Sequence, residues 1–325
     1  MSKSGVAVVL LAVSAVLLAL GLCIGSTGFE SLLQATHDAS ALQIVRDIRL
    51  PRTLGAWLAG ALLGLGGALA QGLFRNPLAD PYLLGSASGA NLGVSLLLVA
   101  LGTMPAAGGW AERLGMTGAA FVGAVAAVLV TLGLARGVQQ TLRLLLAGVV
   151  VGMVLGAAAS LVVLWVPDIM RAMQAFMLGT TGFIGWPGVA VQAGAFLLCL
   201  LPSIGFARAL DALTLGEASA LSLGIALPWV RVALIAALAL STGAAVAQVG
   251  LVAFVGLVAP HLVRAMTKPT HGWLVLLASL MGGALLLAAD VLARWALAPQ
   301  ELPVGVVTAL LGGGYLLWLM HRRRL

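Results

Sequence analysis

Few side chains in this sequence can take part in chemistry, and their spacing narrows what they can do. The chain carries 17 basic and 10 acidic residues in 325. Its histidines, His37, His261, His271 and His321, are scattered, with no carboxylate or cysteine at ligand spacing, so no metal or heme-ligating site is expected. His261 follows Pro260 at a span end and reads as structural. Cys23 and Cys199 stand singly in apolar stretches, which argues against a disulfide and against a thiolate metal site. Glycine-rich runs such as GLGG and LLGGG lack the Lys-Ser/Thr partner of a phosphate-binding loop, so ATP is not bound by that route. Asp290 and Arg294, four apart, can pair on one helix face. No row of buried Asp, Glu or Lys accompanies them of the kind that ion-driven carriers place at mid-membrane. Catalysis is therefore not expected of this chain.

One polar stretch stands out, RALDALTLGEASALSLGI, at about 208–225. Thr214 and Glu217 have capping-box spacing, Gly224 supplies a left-handed stop, and Pro228 lies just beyond it. About nine residues between them put Leu215, Ala218 and Leu221 on one side. A short helix with an apolar face and no obvious partner in its own chain is either a docking surface or a polar loop resting on the membrane.

The elements around these residues are membrane-grade. Hydrophobic residues make up 62% and charged residues 8%, so the chain is an all-α polytopic membrane protein, read as a single domain over 1–325. The net charge of +7 follows membrane topology and does not point to nucleic acid. Ten spans are expected, at about 5–24, 53–74, 87–104, 117–135, 144–166, 188–205, 229–247, 248–264, 273–297 and 304–320. The first run is long for a signal-peptide core and is read as an uncleaved span. In the second, Ala56, Gly60 and Gly64 give the small-xxx-small spacing that lets helix backbones touch. In the fifth, Gly148, Gly152, Gly156 and Ser160 share a face that either packs closely or lines a path kept clear for a solute. With both termini in the cytoplasm, eleven of the 17 basic residues fall inside, as the positive-inside rule requires. The 214–224 helix is then cytoplasmic, and Arg46, Arg49, Arg52 and Arg294 are external.

Four stretches resemble the FecCD/BtuC-type permeases of ATP-binding-cassette importers for iron chelates, heme and vitamin B12. They are IRLPRTLGAWLAGALLGLGGALAQGLFRNPLADPYLLG (48–85), LRLLLAGV (142–149), LTLGEASALSLGI (213–225), and the pair GLVAFVGLVAPHLVR and LLLAADVLARWALAPQELPVGVVTALLG (250–264 and 285–312). GGGYLLW near Gly313 departs from the family's Gly-Xaa-Pro pattern. The resemblance implies a BtuC-like (type II) fold of ten spans and a homodimer around a central path in the bacterial inner membrane. It also implies two cytoplasmic ATPase subunits that hold ATP and magnesium, a periplasmic binding protein above, and no cofactor in this chain. It further implies that Thr214, Leu215, Gly216, Glu217, Ala218, Leu221 and Gly224 couple to the ATPase, with Gly216 and Glu217 at the turn. Arg49, Arg52 and Arg294 would receive acidic residues of the binding protein. Gln140 and Thr141 would form the cytoplasmic gate, Gly179, Thr180, Thr181 and Gly182 the external gate region, and Gly148, Gly152 and Gly156 the path. A small, apolar, uncharged path suits a bulky, partly apolar chelate, and heme ranks ahead of a ferric siderophore and cobalamin. The competing classes are an ion-coupled secondary carrier, which would transport alone, and a structural membrane scaffold.

Overall fold

The computed structural model describes residues 2–25, 28–29, 39–101, 110–135 and 141–322. The chain begins with α1 (Lys3–Cys23), whose end runs into a two-residue antiparallel ribbon, Ile24–Gly25 with Gly28–Phe29, the one departure from all-α among the described residues. Helix α2 (Ala39–Ile44) passes through a π turn, Val45–Arg49, into α3 (Leu50–Phe74). After a 3-10 turn at Pro81–Leu84 come α4 (Ser86–Leu101), α5 (Trp110–Leu134) and α6 (Thr141–Trp165). A 3-10 turn at Pro167–Ile169 leads to α7 (Met170–Leu178), followed by α8 (Trp186–Gly205), α9 (Ala207–Thr214) and α10 (Glu217–Ser222). The rest is α11 (Leu227–Val249), α12 (Val255–Met266), α13 (His271–Trp295) and α14 (Val304–Arg322).

Eight of the described helices are long and apolar enough to cross a membrane, and α4 and α12 are two shorter apolar ones. Together they occupy the ten expected positions. The eighth differs in kind: residues 250–254 are not helical, and only Val255–Met266 winds into helix. Gly250 (φ +69°) turns the chain there, pressed so close to the Phe176 carbonyl that a Cβ would lie 2.2 Å from it. Side chains larger than hydrogen do not fit such an approach.

Helix α3 is apolar on every side and buried from Ala59 to Phe74, as a helix at the centre of a bundle must be. Its small-residue row meets α13 backbone to backbone. A Cβ added to Gly60 would lie 2.2 Å from the Gly282 carbonyl oxygen, and one added to Gly64 would lie 2.1 Å from that of Ala278. The pairs 60–282 and 64–278 run antiparallel. Farther along, Gly67 lies against the Gly256 carbonyl of α12. Helices α4 and α5 repeat the device, with Gly89 on Gly123 and Gly93 on Ala119. The expected close contact of the second span is thus present, with α13 as its partner.

Polar side chains collect at the two ends of this bundle. The N-terminal end of α3 and the C-terminal end of α13 form what we term the upper end. The lower end holds Arg75, α9, α10 and the start of α13.

Gly60→Leu is expected to remove more than about 3 kcal/mol, since overpacking here meets backbone that cannot yield. Gly194→Leu, where nothing lies within 4 Å, serves as the control and is expected to be near neutral. Thermal unfolding of both variants in detergent makes the comparison.

Candidate functional site

At the upper end Asp290 is fully buried and accepts from three sources. Arg294 Nη2 and the Thr181 hydroxyl each make a short bond to its carboxylate, and Arg52 Nη2 adds a third at 3.2 Å. Arg52 is also gripped by Glu301 through two parallel bonds of 2.9 and 2.8 Å. Arg294 Nη1 reaches the Gly21 carbonyl at 3.0 Å, and Arg49 Nη1 reaches that of Leu22 at 3.2 Å. Buried charges persist when paired and hydrogen-bonded, and this network ties α1, α3, α13 and the loop after α13 into one unit.

Thr181 brings a fifth segment into that unit. The loop after α7 is held on one side by Asp290 and on the other by Thr180 N–H donating to the Val249 carbonyl at 2.9 Å. Gly179, at φ +71°, lets it turn beside the Leu251 carbonyl, where a Cβ would come within 2.6 Å. Gly182 N–H bonds the Thr180 hydroxyl at 3.2 Å. The four residues expected at an external gate therefore form one loop, fastened to the carboxylate network by a single side chain.

The lower end carries the 208–225 segment. Thr214 is the last residue of α9, its hydroxyl donating to the Asp211 carbonyl at 2.6 Å. It does not cap α10, so the capping-box expectation is wrong. Gly216, at φ +105°, breaks the helix there in a conformation that favours glycine, and α10 has six residues where about nine were expected. The Glu217 carboxylate is drawn away from the backbone to Arg231 at 2.6 Å and Arg75 at 3.7 Å. Gly224, at φ +76°, does supply the left-handed stop, and Pro228 lies in the first turn of α11. Asp211 accepts from the His271 N–H at 3.0 Å and lies 2.7 Å from its Nδ1. It thereby caps α13 from outside, where Thr270 makes no side-chain cap.

These bonds leave a second, outer set of apolar residues open. Leu215 is 71% exposed, Leu221 57% and Leu223 66%, with Ala218 beside them. The expected apolar face is there, uncovered by the rest of the chain. The segment is apolar on two sides: Ala207, Leu210 and Leu213 of α9 are buried against the bundle, while Leu215, Leu221 and Leu223 face away from it.

Two other expectations need correction. Arg49 and Arg294 are buried, Arg294 to 1% exposure, and their guanidinium groups are committed to carbonyls and Asp290. They present nothing to an incoming acidic residue, and Arg52, half-buried, is held by Glu301 and Asp290. Gly148 does not line an open path either: its Cβ position lies 2.0 Å from the Leu83 carbonyl, making it a packing contact within the chain. Gly152 and Gly156 face the Ser88 hydroxyl more loosely, at 3.6 and 3.8 Å. The open side of α6 is instead branched and aliphatic, with Leu146, Val150, Val154 and Leu161 among its exposed residues. Gln140 and the Thr141 side chain lie outside the described residues.

Sequence reasoning missed Glu301, Asp211, Arg75 and Arg231 as partners. For Glu301 a signal existed, since it is an acid in a loop expected on the same side as Arg49, Arg52 and Arg294. For Asp211 with His271, 60 positions apart, no local pattern could have served.

Asp290→Ala should cost about 3–5 kcal/mol, because it strands Arg294 buried without a counter-charge. Asp290→Asn, which keeps an acceptor for Thr181, should cost less. Unfolding temperatures of the two purified variants test this ordering.

A family model described as the FecCD transport family matches residues 9–322. The chain is 39% identical over 302 residues to the hemin transport system permease protein HmuU of Yersinia pestis, covering 92% of this chain and 89% of that one. It is also 39% identical over 286 residues to the vitamin B12 import system permease protein BtuC of Escherichia coli, covering 86% of this chain and 84% of that one. Among solved structures it resembles an inward-facing metal-chelate type ABC transporter, with a TM-score of 0.84, 25% identity and coverage of 96% and 97%. A likeness to PsaBC from Streptococcus pneumoniae, at TM-score 0.60 and 15% identity over 89% of this chain and 95% of that one, concerns the fold alone. The chain belongs to the FecCD transport family and is a membrane-spanning permease of an ABC importer.

Proposed function

We propose that this permease moves heme, or a closely similar bulky metal chelate, across the bacterial inner membrane as a homodimer. Two ATPase subunits dock on the lower end, which is cytoplasmic together with both termini, and a binding protein delivers cargo to the upper end. One observation carries the reading: Leu215, Leu221 and Leu223 are presented outward on a segment whose polar side is bolted to α3, α11 and α13. Water-facing leucines held in a fixed arrangement fit the cleft of a partner, since burying each one contributes about 1.5–3 kcal/mol. Two anchored acids beneath them, Glu217 and Asp211, let a push on the patch reach the membrane helices.

Heme ranks first on two grounds. The hemin transport permease of Yersinia pestis aligns over most of both chains. In addition, a cavity of about 340 Å³ is lined by Ala87, Met177, Leu178, Leu251 and Val306, with no charged side chain. Its one hydroxyl, on Tyr82, is already donated to the Val252 carbonyl at 3.1 Å. Such a wall suits the apolar faces of a planar porphyrin, whose propionates, like the amides of cobalamin, would have to stay at its open rim. A ferric siderophore ranks second and cobalamin third.

Leu221→Asp places a charge in the docking patch without touching the anchors. It should weaken association with the ATPase about tenfold or more while leaving the unfolding temperature of the permease unchanged. Glu217 is a poorer probe, because its carboxylate also holds Arg231 and Arg75. Co-purification of ATPase with wild type and variant at matched expression decides the matter, and equal recovery would remove the docking assignment.

A further inference from the structure

Helix α13 has a polar attachment at each end, and the two attachments lead to different parts of the transport cycle. At its lower end Asp211, on α9, caps the first turn and contacts His271 Nδ1 at 2.7 Å. The imidazole lies over Gly72 of α3, where a Cβ would come within 3.2 Å of the ring, and Ala207 of α9 approaches Gly272. At its upper end Asp290 receives the Thr181 hydroxyl from the loop after α7. The helix is unbroken over its 25 residues, and the stretch from His271 to Asp290 spans about 28 Å at 1.5 Å per residue. The helix is seated on α3 through the contacts of Gly282 and Ala278, which leave it little room to flex. A rigid element fastened at both ends must carry displacement from one fastening to the other.

We propose that α13 is the transmission element between the ATPase-docking segment and the 179–182 loop, with Asp211 and His271 as positioning residues below and Asp290 and Thr181 above. This rests on the importer reading given above. Motion of α9 and α10 shifts the start of α13 through the Asp211 cap, and the shift at its far end changes the hold of Asp290 on Thr181. None of these four side chains needs to touch cargo or nucleotide. The upper network supports the assignment from a second direction. Arg294 and Arg52, the latter also held by Glu301, bond Asp290 as well, so the Thr181 contact is one branch of a shared carboxylate and is released without stranding the charge. Thr181 is buried, and its hydroxyl is the link from this loop to that carboxylate.

The test is a double-mutant cycle in the assembled permease–ATPase complex in liposomes, with heme delivered by its binding protein and uptake read per ATP hydrolysed. Thr181→Val removes only the upper hydroxyl, and Asp211→Ala removes the lower cap. Each should lower uptake per ATP about fivefold or more, the range of ordinary coupling energies, while hydrolysis continues. Asp211→Asn, which keeps an oxygen for the His271 N–H, should retain most of the wild-type ratio. Residues this far apart normally act independently, so separate roles would multiply the two losses. A single route requires the double variant to be no worse than the poorer single. Multiplied losses, or an unchanged ratio in either single variant, overturn the proposal. The wild-type arm separates the two readings. If wild type transports, such a result sinks the α13 route alone. If wild type shows no ATP-dependent uptake of heme, the proposed heme import fails and the route as stated fails with it.

Discussion

The contact of α3 with α13 is the constraint from which the rest of the arrangement follows. Lipid tails are as apolar as leucine, so helices inside a membrane gain little from hiding apolar surface and associate through close contact. Gly60 and Gly64 meet that requirement by letting carbonyls of Ala278 and Gly282 rest on the facing backbone. At that separation many atom pairs come into range, each contributing only about 0.1–0.2 kcal/mol. A single added methyl at either glycine would force the axes apart. Because the two helices are locked along their length, the residues at their ends are locked as well. Arg52 on α3 meets Asp290 on α13 at one end, and Gly72 on α3 makes room for His271 on α13 at the other.

Charge is used sparingly, and at the two ends of the bundle it is used in linked groups. At the upper end two carboxylates serve Arg52 and Arg294, the Gly21 carbonyl of α1 takes Arg294 Nη1, and the buried Nε of each arginine is left without a partner among the described residues. Such an arrangement gives geometry more than stability, since desolvation offsets much of the attraction. At the lower end Glu217 and Asp211 bond neighbouring helices, Leu210 and Leu213 are buried, and Leu215, Leu221 and Leu223 turn outward. A segment built that way is fixed in orientation before any partner arrives, which reduces the ordering a partner must impose on binding.

Much of this was legible in the sequence, where a strong local pattern existed. Hydropathy placed the membrane helices, with α12 as the exception because residues 250–254 of the expected span are not helical. The small-residue row in α3, the i,i+4 pair in α13 and the stop at Gly224 are all as the spacing implied. What escaped was tertiary. Thr214 and Glu217 have the spacing of a capping box, yet the arginines at 75 and 231 offer the carboxylate a stronger interaction than a backbone N–H does. Arg49 and Arg294 read as docking residues by resemblance. Their burial depends on carbonyls of α1 and on Asp290, which no local pattern weights. Gly148 illustrates the general ambiguity, for a glycine that clears a path and one that admits a neighbour look alike in sequence. Here the neighbour is Leu83.

Uptake by the reconstituted importer tests the central claim most directly. Liposomes containing this permease and its ATPase would be given ATP inside and the binding protein outside, loaded in turn with heme, a ferric siderophore or cobalamin. The account predicts ATP-dependent accumulation of heme, with hydrolysis stimulated by the loaded binding protein. Accumulation of cobalamin or siderophore in preference to heme would contradict the substrate assignment. Uptake driven by a proton or sodium gradient without any ATPase would contradict the importer itself.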